Sequence, residues 1–256
     1  MFKRAIVRRP GRNFAEGLTT FKGAPPDLNG ALEQHQAYCT ALEQCGLEVI
    51  LLEPDLAHPD STFVEDVAVL TGDLAILTRP GAESRLGEIE GVREPLGKYF
   101  PEIREIAAPG TLDGGDVCQA EKHFFIGVSQ RTNKEGATQL AAFLAEGGYT
   151  STLVDIRPMK SILHLKSGLA SISEGQLVVT AEFASRQEFR AYELIRVAPT
   201  ESYAANCVCV NDHVLVAAGF PNLADALIQR GFAVLRLETS EFRKMDGGLS
   251  CLSLRF

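Results

Sequence analysis

Short apolar runs, paired around tight turns and spaced by a few helical stretches, set the rhythm of this chain. Val67–Leu70 and Leu74–Thr78 stand around Thr71-Gly72-Asp73, and Leu169–Ile172 and Leu177–Thr180 around Ser173-Glu174-Gly175. Cys207–Val210 and Val214–Ala217 flank Asn211-Asp212-His213, and Val117–Ala120 is followed closely by His123–Gly127. Each pair reads as a β-hairpin. Between the pairs lie segments that read as a helix end, a glycine stop and a short strand. Two of these are near copies. Ala41-Leu42-Glu43-Gln44-Cys45-Gly46-Leu47-Glu48-Val49-Ile50-Leu51-Leu52-Glu53 lines up with Ala226-Leu227-Ile228-Gln229-Arg230-Gly231-Phe232-Ala233-Val234-Leu235-Arg236-Leu237-Glu238. Looser copies run from Phe143 to Asp155, with Gly147-Gly148, and from Tyr99 to Ile106, with Pro101 as the breaker. The longest stretch without clear periodicity, Gly11 to Gly30, is a candidate mobile flap.

A unit of this kind cannot bury its apolar face alone, so the units must pack on one another. The final run, Cys251–Phe256, has no following hairpin partner, and the first, Phe2–Val7, has no preceding one. Pairing these two runs closes a ring of five hairpin–helix–strand units, an α/β architecture in which residues 1–256 form one domain. A closed ring leaves few exposed sheet edges. It also predicts that the loops entering the hairpins gather: His58–Asp66, Pro109–Asp116, Arg157–Ser167, Thr200–Asn206 and Thr239–Ser250. These loops carry Asp60, Glu65, Asp66, Asp113, Asp116, His164, Asn206 and Asp246, and the last runs into Cys251. Loops held on a rigid scaffold are where binding and catalytic groups concentrate.

Composition narrows the class. The chain has 45% hydrophobic and 23% charged residues, ordinary for a globular protein, and a net charge of −8. That charge disfavours nucleic acid and suits a cationic ligand. No apolar run approaches the roughly 20 residues that span a bilayer, and the N-terminus lacks the long apolar region of a signal peptide, so a cytoplasmic location is expected. Six cysteines do not read here as a disulfide framework. Cys39, Cys45, Cys118, Cys207 and Cys209 read as small buried hydrophobes. Cys251 differs, because Asp246-Gly247-Gly248-Leu249-Ser250 precedes it, and paired glycines let the backbone approach a ligand closely.

One cysteine, one histidine and several acids in such loops suggest nucleophilic catalysis. A thiolate needs a cationic neighbour, since the unperturbed thiol pKa is about 8.5. His164 can supply the charge, and Asp113 can orient the imidazole. The surplus of acids, Asp60, Glu65 and Asp66, is odd for acyl transfer because negative charge suppresses a thiolate. It makes sense for a substrate that is itself a planar cation; a guanidinium is gripped bidentately by carboxylates.

The segments Phe63-Val64-Glu65-Asp66, Leu112-Asp113-Gly114-Gly115-Asp116, Leu163-His164-Leu165-Lys166-Ser167 and Asp246-Gly247-Gly248-Leu249-Ser250-Cys251 resemble the signatures of guanidine-modifying enzymes. Pro59-Asp60-Ser61, Thr78-Arg79-Pro80-Gly81-Ala82-Glu83-Ser84-Arg85, Arg131-Thr132-Asn133 and Ala204-Ala205-Asn206-Cys207 narrow the resemblance to the dimethylarginine dimethylaminohydrolase family, along the whole chain and in the expected order. The resemblance implies a five-bladed α/β propeller. It implies Cys251 as nucleophile, His164 as general acid and base, and Asp113 as its orienting carboxylate. Asp66 would grip the guanidinium with Asp60 and Glu65 nearby, and Arg85 and Arg131 would take the α-carboxylate. The backbone of Leu18 and Met245 would hold the amino-acid end, and Phe63 with Leu18 would wall the leaving nitrogen. The implied substrate is a small methylated arginine, with no metal or organic cofactor, no membrane or nucleic-acid partner, and an assembly compatible with a homodimer.

Plainer readings stand beside these. His35, His58, His123 and His213 read as structural, Asp113 and Asp116 alone would cap glycine turns, and Glu33, Glu43, Glu88, Glu90 and Glu94 read as helix-surface charges. Thr132-Asn133-Lys134-Glu135 reads as a capping box that opens a helix. Glu65 and Asp66, adjacent on an extended segment, would point to opposite sides. The competing functions are an arginine or agmatine deiminase on the same scaffold, and a five-fold propeller that binds without catalysing. The second would carry no matched cysteine, histidine and acids.

Overall fold

The computed structural model describes residues 1–159 and 161–256. Among the described residues there are five three-stranded sheets on one plan, an antiparallel pair followed by a strand parallel to the middle one. In the first, β1 (Arg4–Arg8) lies between β2 (Glu48–Leu52), parallel, and β15 (Leu254–Arg255), antiparallel, with Ala5 opposite both Val49 and Arg255. The second is β3 (Ala68–Leu70), β4 (Leu74–Leu77) and β5 (Glu102–Glu105). The third is β6 (Val117–Ala120), β7 (His123–Val128) and β8 (Thr150–Asp155). The fourth is β9 (Leu169–Ser173), β10 (Gln176–Val179) and β11 (Glu193–Arg196). The fifth is β12 (Val208–Val210), β13 (His213–Ala217) and β14 (Ala233–Leu237). All four predicted hairpins and the pairing of the two terminal runs are found. The last run is a strand only at its end, because Ser250–Leu252 forms a 3-10 turn.

The middle strands explain the uninterrupted apolar runs. Ala5-Ile6-Val7, Ala75-Ile76-Leu77, Phe124-Phe125-Ile126, Leu177-Val178-Val179 and Val214-Leu215-Val216 are all buried. A strand hydrogen-bonded on both edges and covered on both faces carries consecutive apolar residues rather than alternating ones.

The crossovers are mostly helical. α1 (Leu28–Gln44) opens at Asp27, whose carboxylate accepts from the Gly30 N–H at 2.7 Å. α2 (Glu90–Gly97) follows a 3-10 segment at Glu83–Ile89. α3 (Lys134–Glu146) is capped by Asn133, which accepts from the Gly136 N–H at 2.8 Å. The cap is therefore Asn133 rather than the Thr132 of the expected capping box. α4 (Pro221–Gln229) starts on its proline, where a missing N–H is harmless. A short α5 (Ser240–Arg243) precedes the Cys251 loop. After α1 and α4, the aligned Gly46 and Gly231 adopt φ of 87° and 90° with nothing near a would-be Cβ. The left-handed backbone, not lack of space, calls for glycine at these two stops.

The fourth crossover departs from the expected helix. Between β10 and β11 the chain makes turns and one 3-10 segment, Gln187–Phe189. Phe183 and Phe189, both fully buried, meet edge-to-face at 5.7 Å, and Phe189 meets Phe125 at 4.9 Å. Two aromatic side chains supply the apolar cover that a helix face gives in the other repeats.

The chain forms two compact units. One comprises residues 1–64 and 207–256 and holds the first and fifth sheets; the other comprises residues 65–206 and holds the remaining three. The stretch expected as a flap is partly ordered structure: Phe14–Glu16 is a 3-10 turn and α1 already begins at Leu28. No described helix is long and apolar enough to cross a membrane.

Candidate active site

Within residues 65–206 the loops that enter the hairpins converge, and they bring charges together. Asp66 is buried, with Oδ1 accepting from the Gly115 N–H at 2.8 Å and Oδ2 from Arg85 Nη1 at 2.6 Å. Arg85, also buried, is gripped from the other side by Glu88, to which Nε donates at 2.9 and 3.1 Å and Nη2 at 2.8 Å. His164 Nε2 lies 3.0 Å from Asp113 Oδ2, and Asp113 Oδ1 accepts from the Gly81 N–H at 2.8 Å. One ring nitrogen of His164 and one oxygen each of Asp66 and Asp113 lie within 4.8 Å of one another. Three such atoms could also hold a cation.

The glycines of Leu112-Asp113-Gly114-Gly115-Asp116 follow from this crowding. A Cβ on Gly114 would stand 1.9 Å from the Glu65 carbonyl oxygen. One on Gly115 would stand 2.8 Å from both Asp66 Oδ1 and His164 Nδ1. Asp116 is the anchor of the loop. Its carboxylate accepts from Ser129 Oγ at 2.6 Å, Thr132 Oγ1 at 2.7 Å and the Leu165 N–H at 2.9 Å. Thr132 Oγ1 in turn accepts from the Asp113 N–H at 3.1 Å. One buried acid thus fixes the backbone of both Asp113 and the residue after His164.

Electrostatics follow the contacts. Burial alone would lower the His164 pKa, but the charges of Asp66, Asp113 and Asp116 and the Asp113 hydrogen bond raise it to about 9. The imidazole is therefore protonated at neutral pH. Burial would raise Asp66, yet His164, Arg85 and the Gly115 N–H hold it down at about 2. Burial dominates at Asp116, lifting it to about 6 against its hydroxyl donors.

Other expected residues fall into place around this core. Glu65 pairs with Lys166 Nζ at 2.6 Å, while Asp66 takes Arg85. The two adjacent acids part as expected, but on the 3-10 turn Val64–Val67 rather than on an extended segment. Arg131 lies half-buried with Nη1 3.8 Å from Asp113 Oδ2. Gly81 makes room for it, since a Cβ there would lie 2.1 Å from the Arg131 carbonyl oxygen. Glu88, expected as a surface charge, is buried against Arg85. Sequence reasoning also passes over Ser129, Thr132 and Lys166. Only the i,i+3 spacing of Arg85 and Glu88 could have pointed to their pairing.

The other unit carries Cys251, half-buried on the turn Ser250–Leu252, with its N–H donating to the Gly248 carbonyl at 3.2 Å. Its approach is set by close packing. A Cβ on Gly247 would stand 2.2 Å from the Phe63 ring. Phe63 is buried in a trio with Phe14 and Phe242, at centroid distances of 6.1 and 6.3 Å. Phe63 therefore packs against Gly247 in the loop before Cys251. Asp60 is buried and accepts from the Leu18 N–H at 3.0 and 3.2 Å. A Cβ on Gly17 would meet Asp60 Oδ1 at 2.5 Å and Met245 Cε at 3.1 Å, so Leu18, Asp60 and Met245 are neighbours. Thr19 Oγ1 donates to the Lys244 carbonyl at 2.7 Å, and Thr20 bonds Asp246 through both its N–H and its hydroxyl. The side chain of Leu18 is exposed.

A family model for N,N dimethylarginine dimethylhydrolase, eukaryotic, matches residues 26–210. The chain is 45% identical over 257 residues to the N(G),N(G)-dimethylarginine dimethylaminohydrolase of Pseudomonas aeruginosa, covering 100% of both. A solved structure of the P. aeruginosa enzyme, a cysteine-to-serine mutant complexed with citrulline, superposes with a TM-score of 0.97 at 44% identity and covers 100% of each chain. A histidine-to-glycine dimethylarginine dimethylaminohydrolase, as its adduct with S-methyl-L-thiocitrulline, matches equally, with a TM-score of 0.97, 44% identity and full coverage. Similarity along the entire sequence and fold, on a chain that also carries every signature segment in order, places this protein in the dimethylarginine dimethylaminohydrolase family.

Proposed function

We propose that this chain hydrolyses N-omega-methylated arginines, asymmetric dimethylarginine and monomethylarginine, to citrulline and dimethylamine or methylamine. The observation that carries the reading is His164, held 3.0 Å from Asp113 and beside Asp66, two carboxylates that favour its protonated form. An imidazolium so placed is ready to give a proton to a departing amine. In this reading the Cys251 thiolate attacks the guanidinium carbon and forms a C–S bond. The tetrahedral adduct collapses, the C–N bond to the methylated nitrogen breaks, and His164 protonates the leaving amine, a step worth roughly 10²–10⁴-fold. The neutral imidazole then takes a proton from water, whose oxygen attacks the S-alkylthiouronium carbon. Loss of the thiolate gives citrulline.

The acids bind the substrate cation, Asp66 foremost with Asp60 and Glu65. Arg85 and Arg131 read the α-carboxylate in this reading, which the half-buried setting of Arg131 near Asp113 supports. The backbone of Leu18 and Met245 holds the amino-acid end. The citrulline complex and the thiocitrulline adduct of the relatives support the chemistry. The enzyme acts as one catalytic domain in the cytoplasm, on a free amino acid, and a homodimer is compatible with it.

The test is kcat/KM for asymmetric dimethylarginine, monomethylarginine, symmetric dimethylarginine and arginine, with citrulline as product, in the wild type and Cys251→Ser. The methylated asymmetric substrates are expected to lead, with turnover abolished in the variant and binding retained. A higher value for arginine would make the protein a deiminase on this scaffold.

A further inference from the structure

Glu88 has no part in the chemistry above, yet it is buried within the same cluster. Its carboxylate takes three contacts from Arg85, at 2.8 to 3.1 Å, with both partners shielded from solvent. Arg85 has one ordered way to sit under that grip, and its Nη1 then falls 2.6 Å from Asp66 Oδ2. Asp66 completes the relay, with Oδ1 on the Gly115 N–H and an oxygen within 4.8 Å of a His164 nitrogen.

We propose that Glu88 is a positioning residue for the reaction: it pins the Arg85 guanidinium onto Asp66 and thereby fixes the carboxylate that faces His164. The geometry assigns it two effects. It steadies Asp66 through a guanidinium that Glu88 itself grips at two nitrogens, Nε and Nη2, leaving Nη1 on Asp66 Oδ2. It also balances the Arg85 charge, so that Asp66 keeps its full pull on the imidazolium. The charges acting directly on His164 are Asp66, Asp113 and Asp116. One contact further out are Arg85 and Glu88 through Asp66, and Arg131 through Asp113, with the Glu65–Lys166 pair adjacent in sequence to Asp66 and two residues past His164. Truncating a merely structural acid would lower stability and leave the titration of His164 where it is.

This inference rests on the proposed role of His164, and the experiment separates the two. The His164 imidazole is titrated by NMR with labelled histidine, assigned against His164→Gly, in the wild type and Glu88→Gln. Glu88→Gln keeps shape and one acceptor but removes the charge. The His164 pKa is expected to fall by about 0.5–1 pH unit, the size of one added positive charge at an effective dielectric of about 40–80. The alkaline limb of kcat/KM should move down by the same amount, with kcat rather than KM carrying the loss. Where the single variant does not fold, Arg85→Gln with Glu88→Gln removes both charges together, and the His164 pKa is then expected at or above the wild-type value. An unchanged titration in Glu88→Gln, or equal downward shifts in both variants, overturns the proposal. The NMR titration decides this whether or not methylarginines are turned over, so failure of the functional reading shows separately.

Discussion

Around His164 the contacts run between charges, or from hydroxyls and amides to charges, and nearly all are shielded from water. Around Cys251 aromatic rings and glycines dominate the packing, and the polar contacts are mostly hydrogen bonds that involve backbone atoms, as between Thr20 N–H and Asp246. Asp66, Arg85, Glu88, Asp113 and Asp116 are each buried with partners in place. The Cys251 approach rests on Phe14, Phe63 and Phe242. The difference teaches what each region is for. A buried charge network has one satisfied arrangement and fails sharply when a member is removed. It suits groups whose protonation state must be held. Aromatic packing is indifferent to pH and tolerant of small shifts, and on the function proposed above it would carry the loop that presents the nucleophile.

The comparison can be broken from either side. Phe242→Ala should give the largest effect, a loss of about 3–5 kcal/mol in unfolding free energy, because it removes a fully buried ring shared by Phe14 and Phe63. Urea titrations at two pH values should give the same loss at both. A loss under about 1 kcal/mol would mean the trio does not carry that region.

Gly115→Ala probes the charged side. The added methyl must displace Asp66 or His164, each 2.8 Å from its ideal position. Misplacement on the ångström scale costs about 10²-fold in kcat. Unaltered kcat would show that the cluster has more room than the structure gives it.

The smallest effect is also the most diagnostic. The His164 pKa is raised from 6.5 to about 9 in the fold. Its stabilising contribution is therefore fully present below pH 6.5 and lost as pH rises towards 9. Cys39, Cys45, Cys118 and Cys209, whose thiols burial raises from 9.0, begin to contribute in the same direction only as pH approaches 9. Unfolding free energy measured at pH 6.5 and 8, below the range of the cysteines, should fall in the wild type, and the fall should be far smaller in His164→Gly. An identical slope in the variant would place the titration elsewhere.

What the sequence made legible follows from what each pattern encodes. Glycine stops at Gly46 and Gly231, and the uninterrupted apolar triplets of the middle strands, report local backbone and burial, and these determine the repeats. The fourth crossover escaped because Phe183 and Phe189 supply apolar cover without helical spacing. Glu88 was misread for a related reason. Beside Glu90 and Glu94 it fits the polar face of an α-helix, but Glu83–Ile89 is 3-10, where residues three apart eclipse. That geometry sets Glu88 directly on Arg85. Thr132 was misassigned as a cap because its hydroxyl answers to Asp116, 16 residues away in sequence, and no local pattern reports such a contact. The pairing of Asp113 with His164, 3.0 Å apart in the structure, was legible because few residue types can set an acid against an imidazole.

The pairing of β1 with β15 has a consequence for how the molecule is made. β1 is a middle strand whose two neighbours come from residues 48–52 and 254–255. At synthesis rates of about 5–20 residues per second, the second neighbour leaves the ribosome on the order of 10–50 s after β1. For that interval a nascent chain exposes one edge of a strand whose centre, Ala5-Ile6-Val7, is apolar, a template for wrong partners. The turn bearing Cys251 emerges just ahead of β15. Cys251, the nucleophile of the proposed reaction, is therefore delivered together with the segment that seals the exposed edge, and on that reading chains released early should be sticky and inert at once.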